Sequence, residues 1–306
     1  MDILRILVLS SMVLWYGCMN ETQVKSAMVE VDGIEKLDRY WYQGKAEISV
    51  YNLEQNRYAD VHPGKAIMIF VSEDFLTDIQ VKNDRYKNSN SIPILKNNAI
   101  KKFTTGVYDY STMTSVFTPA DRSEHNHTLK VSASVQEWCG HTYQQLNLRD
   151  GKYTSTLHSY FEKEADKMAS EDASLLEDEV MNLLRMSPTL IPTGEVNIIP
   201  SLENQRLKHL PLKSEKVNIG KGAYTEGEFE GESLRVINLT FKNGREKQIV
   251  YESENPYRIV GWKETDMSVF DGKPRITKAT LSARELWPYW QQNSLEDTEL
   301  RKKLGL

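Results

Sequence analysis

The chain has 306 residues, 38 basic against 43 acidic side chains, a formal net charge of −5 and only two cysteines. That balance excludes a face built to neutralise a phosphate backbone, because the short clusters Lys101-Lys102 and Arg301-Lys302-Lys303 form no basic stripe interleaved with aromatics. The length allows a large core, as one β-rich domain or two small ones.

The first eighteen residues read M-D-I-L-R-I-L-V-L-S-S-M-V-L-W-Y-G-C. Arg5 precedes an apolar run from Ile6 to Trp15, broken only by Ser10 and Ser11. The run is about half the roughly 20 residues a spanning helix needs, and it suits a signal-peptide core. Gly17 before Cys18 is similar to a bacterial lipoprotein signal, although Leu14 stands one place too far from the cysteine and Asp2 dilutes the positive leading region. The resemblance implies removal of residues 1–17 and acylation of Cys18. An ordinary secreted protein and an uncleaved short anchor are the alternatives. Each buried methylene contributes about 0.8 kcal/mol and a single chain holds reversibly, so two or three chains on one residue give a lasting membrane anchor. Residues 18–37 read as a polar tether and 38–306 as a β-rich envelope domain. Met19 stands where an aspartate would retain an enteric lipoprotein in the inner membrane, which points to the outer membrane, facing the periplasm. With Cys18 acylated, Cys139 has no intrachain partner and stability rests on the core.

Farther along, period two dominates. Ala46, Ile48 and Val50 alternate with Glu47 and Ser49, and A-I-M-I-F-V (Ala66 to Val71) predicts a strand covered on both faces. Thr104 to Thr118 is rich in Thr, Tyr, Val and Phe. Asp150-Gly151 and Asn243-Gly244 signal two-residue hairpin turns. Ser170 to Arg185 predicts a helix (about 171–185), with Leu176, Val180, Leu183 and Leu184 in one stripe, Ser170 as N-cap and Pro188 as stop. Pro and Gly near 187–194 mark a place where the sheet could divide in two. Tyr257 to Trp262 and Arg275 to Leu281 read as strands. S-A-R-E from Ser282 carries a capping-box pattern, and Ser294 to Leu304 reads as a short helical tail. The fold expected is mainly β: a long antiparallel meander curled into a sandwich, open barrel or half-barrel, with one packed helix and that tail.

Trp138-Cys139-Gly140-His141 opens like the loop of a disulfide oxidoreductase, but Thr142 occupies the place of the resolving cysteine. Leu129 to Leu148 alternates like one long strand. On that reading Glu137, Cys139, His141 and Tyr143 share a face with Leu129, Val131, Ala133 and Val135. A two-residue Asp150-Gly151 turn then pairs Tyr143 with His158, His141 with Tyr160 and Cys139 with Glu162. The result is a polar patch of Glu137, Cys139, His141, Tyr143, His158, Tyr160 and Glu162. It reads first as a hydrogen-bonded rim cluster, next as the polar end of a binding cavity, and third as a hydrolase with Cys139 as nucleophile and His141 or His158 as base. His125 and His127 fall in the polar loop D-R-S-E-H-N-H-T, and no cofactor or metal is expected. Asn218 to Ala223, N-I-G-K-G-A, lacks the spacing and Lys-Ser/Thr ending of a phosphate loop.

Seven stretches carry a family resemblance: R-Y-W-Y-Q-G-K-A-E-I from Arg39, G-K-A-I-M-I-F-V-S-E-D-F from Gly64, S-V-F-T-P from Ser115, H-T-L-K-V-S-A-S-V-Q-E-W-C-G-H from His127, L-E-D-E from Leu176, P-T-G-E-V-N-I-I-P from Pro192 and P-Y-R-I-V-G-W-K-E-T from Pro256. Together they resemble a family of uncharacterised lipoproteins of Bacteroidota-type bacteria. Members sometimes carry the label "septum formation inhibitor Maf", but the Ser-x-Ser-x-x-Arg motif of true Maf pyrophosphatases has no match here, so the label is mistaken. The order of elements is also similar to uncharacterised envelope proteins with curled sheets shaped like lipoprotein carriers. That likeness implies a concave sheet able to hold an acyl chain or peptide, and supplies no catalytic residues. The expectation is therefore a membrane-anchored envelope lipoprotein with a non-catalytic binding or assembly role, its partners the membrane through Cys18 and an apolar ligand or envelope protein. The alternatives are the Cys139/His141/His158 hydrolase and a purely structural lipoprotein.

Overall fold

The computed structural model describes residues 37–306; the readings on residues 1–17, on Cys18 and on the tether up to residue 36 lie outside them. A 3-10 turn, Arg39–Tyr42, leads into β1 (Ala46–Arg57), β2 (Asp60–Leu76), β3 (Val81–Lys82), β4 (Ser91–Thr105) and β5 (Tyr108–Pro119). There follow β6 (Lys130–Glu137), β7 (Gly140–Arg149), β8 (Lys152–Ser159), β9 (Lys167–Asp172) and β10 (Leu175–Leu176). A 3-10 turn, Glu177–Glu179, runs into α1 (Val180–Met186), then β11 (Gly194–Ile199) and α2 (Leu202–Lys208). The chain ends with β12 (Glu215–Ala223), β13 (Leu234–Phe241), β14 (Glu246–Glu252), β15 (Ile259–Met267), β16 (Pro274–Trp287) and α3 (Thr298–Lys303).

All 16 strands join one sheet, ordered from β10 up to β16, then β1, β2 and β4 through β9, with β3 attached to β2. Every described pairing is antiparallel except the parallel pair β10–β11. The first and last strands, β1 and β16, pair in the middle of this order, so its two outer edges are β9 and β10. Only Ala173 and Ser174 separate those edges in the chain, which holds Asp172 and Leu175 within about 11 Å of each other. A sheet whose edges meet must curl. The result is an open barrel with one seam, the expected mainly β class. The proposed division near 187–194 does not occur, because strands on both sides of it belong to this sheet.

The interior is filled by the chain itself. Tyr51, Met68, Phe70 and Leu95 from one wall and Val217, Ile237, Leu239, Ile249 and Trp262 from the other converge on Val180, Leu183 and Leu184 of α1. A helix buried on nearly all sides needs such a place. Polar anchors fix its rotation: the Asn182 amide donates to the Leu95 carbonyl and to Thr118 Oγ1, each at 3.0 Å. Arg185 donates to both carboxylate oxygens of Glu47, with Nη2–Oε2 at 2.8 Å, and to the Pro256 carbonyl at 2.9 Å. Its guanidinium lies 4.9 Å from the Trp41 ring and 5.0 Å from that of Phe70. Burial alone would raise the Glu47 pKa, but the charge and hydrogen bonds of Arg185 outweigh it and hold the carboxyl at about 2.

The convex side is covered too. Ile67 and Ile69 alternate with the inward Ala66, Met68 and Phe70, and lie with Ile48 and Val50 under Leu304 beyond α3. That is why Ala66 to Val71 is an unbroken apolar run.

Three local expectations are corrected. The helix predicted over 171–185 begins only at Val180; Ser170 is not its cap but part of β9, where it pairs with Thr154. S-A-R-E from Ser282 is strand, because Ala283, Arg284 and Glu285 complete the ladder opposite Val50, Ser49 and Ile48. The Asn243-Gly244 hairpin forms, yet only Gly244 has positive φ (87°), and Phe241 N–H reaches the Arg245 carbonyl around a three-residue loop. The helical tail is present as α3.

Removing one member of a buried ion pair strands the other. Arg185→Met or Glu47→Leu alone is therefore expected to cost about 3–5 kcal/mol, and the double substitution less than the sum. Urea denaturation of the four proteins measures this.

Candidate binding site

The predicted polar patch does not assemble. Residues 129–148 are not one ribbon but two strands, β6 and β7, joined by a turn at Trp138-Cys139 with Glu137 paired to Gly140. A two-residue turn makes partner numbers sum to an odd value, so the inward set changes from odd to even. Val131, Ala133 and Val135 point inward on β6, whereas on β7 the inward residues are Thr142, Gln144 and Leu146. His141 and Tyr143 therefore face outward, opposite to the expectation. The Asp150-Gly151 hairpin is as predicted, with φ of 49° and 72° and Tyr143 opposite His158. The pairings of His141 with Tyr160 and Cys139 with Glu162 do not form, since β8 ends at Ser159, opposite Thr142. Tyr160 and Glu162 are exposed in the connection to β9. Gly140 has no room for a Cβ, as the Tyr160 ring would lie 2.8 Å from it.

Cys139 is exposed at the turn, and its N–H donates to Glu137 Oε2 at 2.7 Å. The hydrogen bond and negative charge of Glu137 push its thiol pKa up, the reverse of nucleophile activation. His158 faces Asp166 at 3.5 Å, with most of its side chain exposed. His127 lies edge-on to the Tyr153 ring, 6.5 Å between centroids.

Chemistry-bearing side chains concentrate inside instead, on L-E-D-E. Glu177 accepts from Arg245 Nη2 at 2.5 Å, from Lys247 Nζ at 2.8 Å and from the Ser201 N–H at 3.1 Å. Asp178 accepts the Leu202 N–H at 2.9 Å, at the start of α2. Glu179 takes the Thr128 hydroxyl at 2.6 Å and the Leu176 N–H at 3.0 Å. Burial, together with the charge of Glu177, pushes the Asp178 carboxyl up to about 7, although the Leu202 N–H opposes this. For Glu177 burial acts the same way, but Arg245 and Lys247 prevail and hold it well below the usual range. Nearby, a cleft of about 80 Å³ is lined by charges that satisfy one another: Lys101 with Glu203 at 2.5 Å, and Lys208 with Asp266.

Three larger openings lie outside this network, one of them a shallow recess of about 360 Å³ lined by Pro188, Lys221, Arg235 and Tyr257. A groove of about 1160 Å³ runs on the convex face between the C-terminal segment and the sheet; its floor is aliphatic, from Ile67, Ile69 and Ile100, and Lys65, Lys102 and Arg301 also line it. The third, of about 320 Å³, lies at the seam, between β7, β8 and β9 on one side and α2 with Leu210, Pro211 and Leu212 on the other. Gln144, Ser155 and Gln205 supply polar groups there, with the Gln144 amide donating to Ser155 Oγ at 3.1 Å. Arg206, Lys163, Lys167, Glu164 and His209 complete the lining. Below the cleft the seam is laced shut, where Ser214 N–H and Oγ–H both donate to Glu171 Oε1 at 3.0 and 2.6 Å. Sequence reasoning missed this site. A usable signal was present in the apolar phase, which is odd from Leu129 to Val135 and even at Leu146 and Leu148, so a reversal had to lie between.

No protein-family model matches the chain, and no curated protein matches it. Among solved structures it is similar to the crystal structure of a β-barrel-like protein of a domain of unknown function, DUF1849, from Brucella abortus. The identity is 9% and the TM-score 0.48, over 79% of this chain and 98% of that one.

The folded Asp178 binds its proton more tightly than the unfolded residue, whose ordinary value is 3.8. Its contribution is fully present below that value and is lost as pH rises through about 7. Asp178→Asn, neutral throughout, is expected to flatten the pH–stability curve over that range in urea denaturation. At the turn, the native Cys139 thiol should react with a thiol-directed probe more slowly than in the unfolded chain, despite its exposure, and Cys139→Ser should leave folding unchanged; faster reaction in the native protein would revive the hydrolase reading.

Proposed function

We propose that this protein is an envelope lipoprotein of the Bacteroidota-type family it resembles, anchored by acyl chains on Cys18 in the outer membrane, with its folded domain facing the periplasm. Its role is non-catalytic binding, and the place of binding is the seam cleft. One observation carries the binding reading. The concave face is occupied by α1, so the cavity expected there for an acyl chain or peptide is filled, while the seam keeps an open cleft with converging polar groups and apolar walls. The raised thiol of Cys139 and the outward His141 and His158 give a hydrolase no support.

A protein partner is the second reading, favoured by the tips at one end of the barrel. In an up-and-down meander the β4–β5, β6–β7, β8–β9 and β15–β16 connections fall at the same end. They expose Val107 at 80%, Trp138 at 70%, Tyr160 at 78% and Phe270 at 70%. Exposed apolar and aromatic side chains grouped in this way suit contact with another surface. Anchoring rests on the sequence around Cys18, and among the described residues no helix is long and apolar enough to cross a membrane. Cells fed labelled palmitate are expected to label the full chain and hold it in the membrane fraction, and Cys18→Ala should lose both. Membrane retention of the unlabelled variant would refute acylation as the anchor.

A further inference from the structure

Arg206 is an unusual side chain to find at the seam. It is 7% exposed, it lines the cleft, and neither its Nε nor its Nη1 has a hydrogen-bond partner. A guanidinium keeps its charge in a protein, so burying one with unused donors is costly unless something completes it. The Phe161 ring, 4.2 Å from the guanidinium carbon, offers only a π face. Glu164 approaches Nη1 no closer than 3.8 Å, and its own oxygens are engaged by His209 Nδ1 at 2.7 Å and by the Ser159 hydroxyl at 2.5 Å.

Two further charges in the lining have the same sign. Lys163 and Lys167 flank the cleft, and the Lys167 ammonium donates to the neutral Lys163 carbonyl at 2.9 Å, which leaves its charge uncompensated. Three cations therefore face one carboxylate, in a chain whose net charge is −5. The walls are apolar: Leu157, Met168, Leu210 and Leu212. A volume of about 320 Å³ falls at the small end of ligand pockets, which run from about 300 to 1,000 Å³. One wall is β9, an exposed edge strand paired only with β8, whose free backbone groups could receive an extended chain.

We infer that the seam cleft binds a carboxylate carried on an apolar body, with Arg206 completing its hydrogen bonds on the carboxylate and the Leu157, Met168, Leu210 and Leu212 walls holding the body. Two sources share this chemistry: a free medium-chain fatty acid, and the C-terminal end of an apolar peptide laid along β9. The inference rests on the binding role proposed above and names its ligand class.

Calorimetric titration of the full chain in detergent tests it with two pairs of probes: decanoate against decanol, and acetylated trileucine with a free against an amidated C-terminus. At least one carboxylate is expected to bind, and its neutral counterpart about tenfold more weakly or worse. Arg206→Gln should lose a similar factor. Ala169→Trp, on the inward side of the edge strand opposite Ser155, should block the cleft without touching Arg206, so the test stands even if Arg206→Gln does not fold. The arm that binds identifies the source. Equal binding of charged and neutral probes, or binding that survives Ala169→Trp, overturns the inference, as does the absence of binding by either carboxylate. The palmitate experiment on Cys18 is independent of these outcomes, so failure here leaves the anchored-lipoprotein reading to be judged separately.

Discussion

Three consecutive carboxylates inside a curled sheet, Glu177 and Glu179 buried and Asp178 half-buried, are the constraint around which this molecule is organised. Glu177, Asp178 and Glu179 cannot be removed from water without donors, and each finds them on a different part of the fold. Glu177 draws in Arg245 and Lys247 from β14 and its approach, Asp178 holds the first N–H of α2, and Glu179 reaches Thr128 before β6. One short turn thus ties together both walls of the barrel and the helix that closes one side of the seam. The Arg185–Glu47 pair extends the same logic farther along the chain, pinning α1 to β1 in the middle of the sheet.

Filling the interior has a consequence for function. A sheet curled this tightly has no spare concave surface once α1 and its apolar neighbours are in place. A recess is left where the hydrogen-bond ladder stops, between β9 and the connection from α2 to β12. Seams of this kind combine unpaired backbone with side chains that the barrel has turned inward, here Gln144 and Ser155. The same α2 that Asp178 anchors carries Arg206 to that recess.

Local signals were legible where backbone chemistry decides the outcome. Asp150-Gly151 is the clearest case, since two residues tolerant of positive φ set both the turn and the Tyr143–His158 register. Strand-like composition likewise located β1, by alternation, β2, by an unbroken apolar run, and β15 and β16. The reading failed at Trp138-Cys139, a turn with no Asn-Gly or Asp-Gly signature, and the candidate patch failed with it. It failed also at Ser170 and Ser282, where stretches with helical signals became strands. Both lie beside a ready ladder, β8 for the first and β1 for the second, and the hydrogen bonds offered there outweigh weak local propensity.

What the sequence by itself determined is the class of the fold, the strand periodicity and the best-marked hairpin. These depend on side-chain spacing and on φ preferences of single residues. Tertiary structure alone decided that the two outer edges meet at a seam, that the hollow is occupied by α1, and that an under-satisfied arginine stands at the seam. Those outcomes depend on which strands become neighbours across more than a hundred residues of chain, as with β1 and β16, and pairing at that distance leaves no local mark.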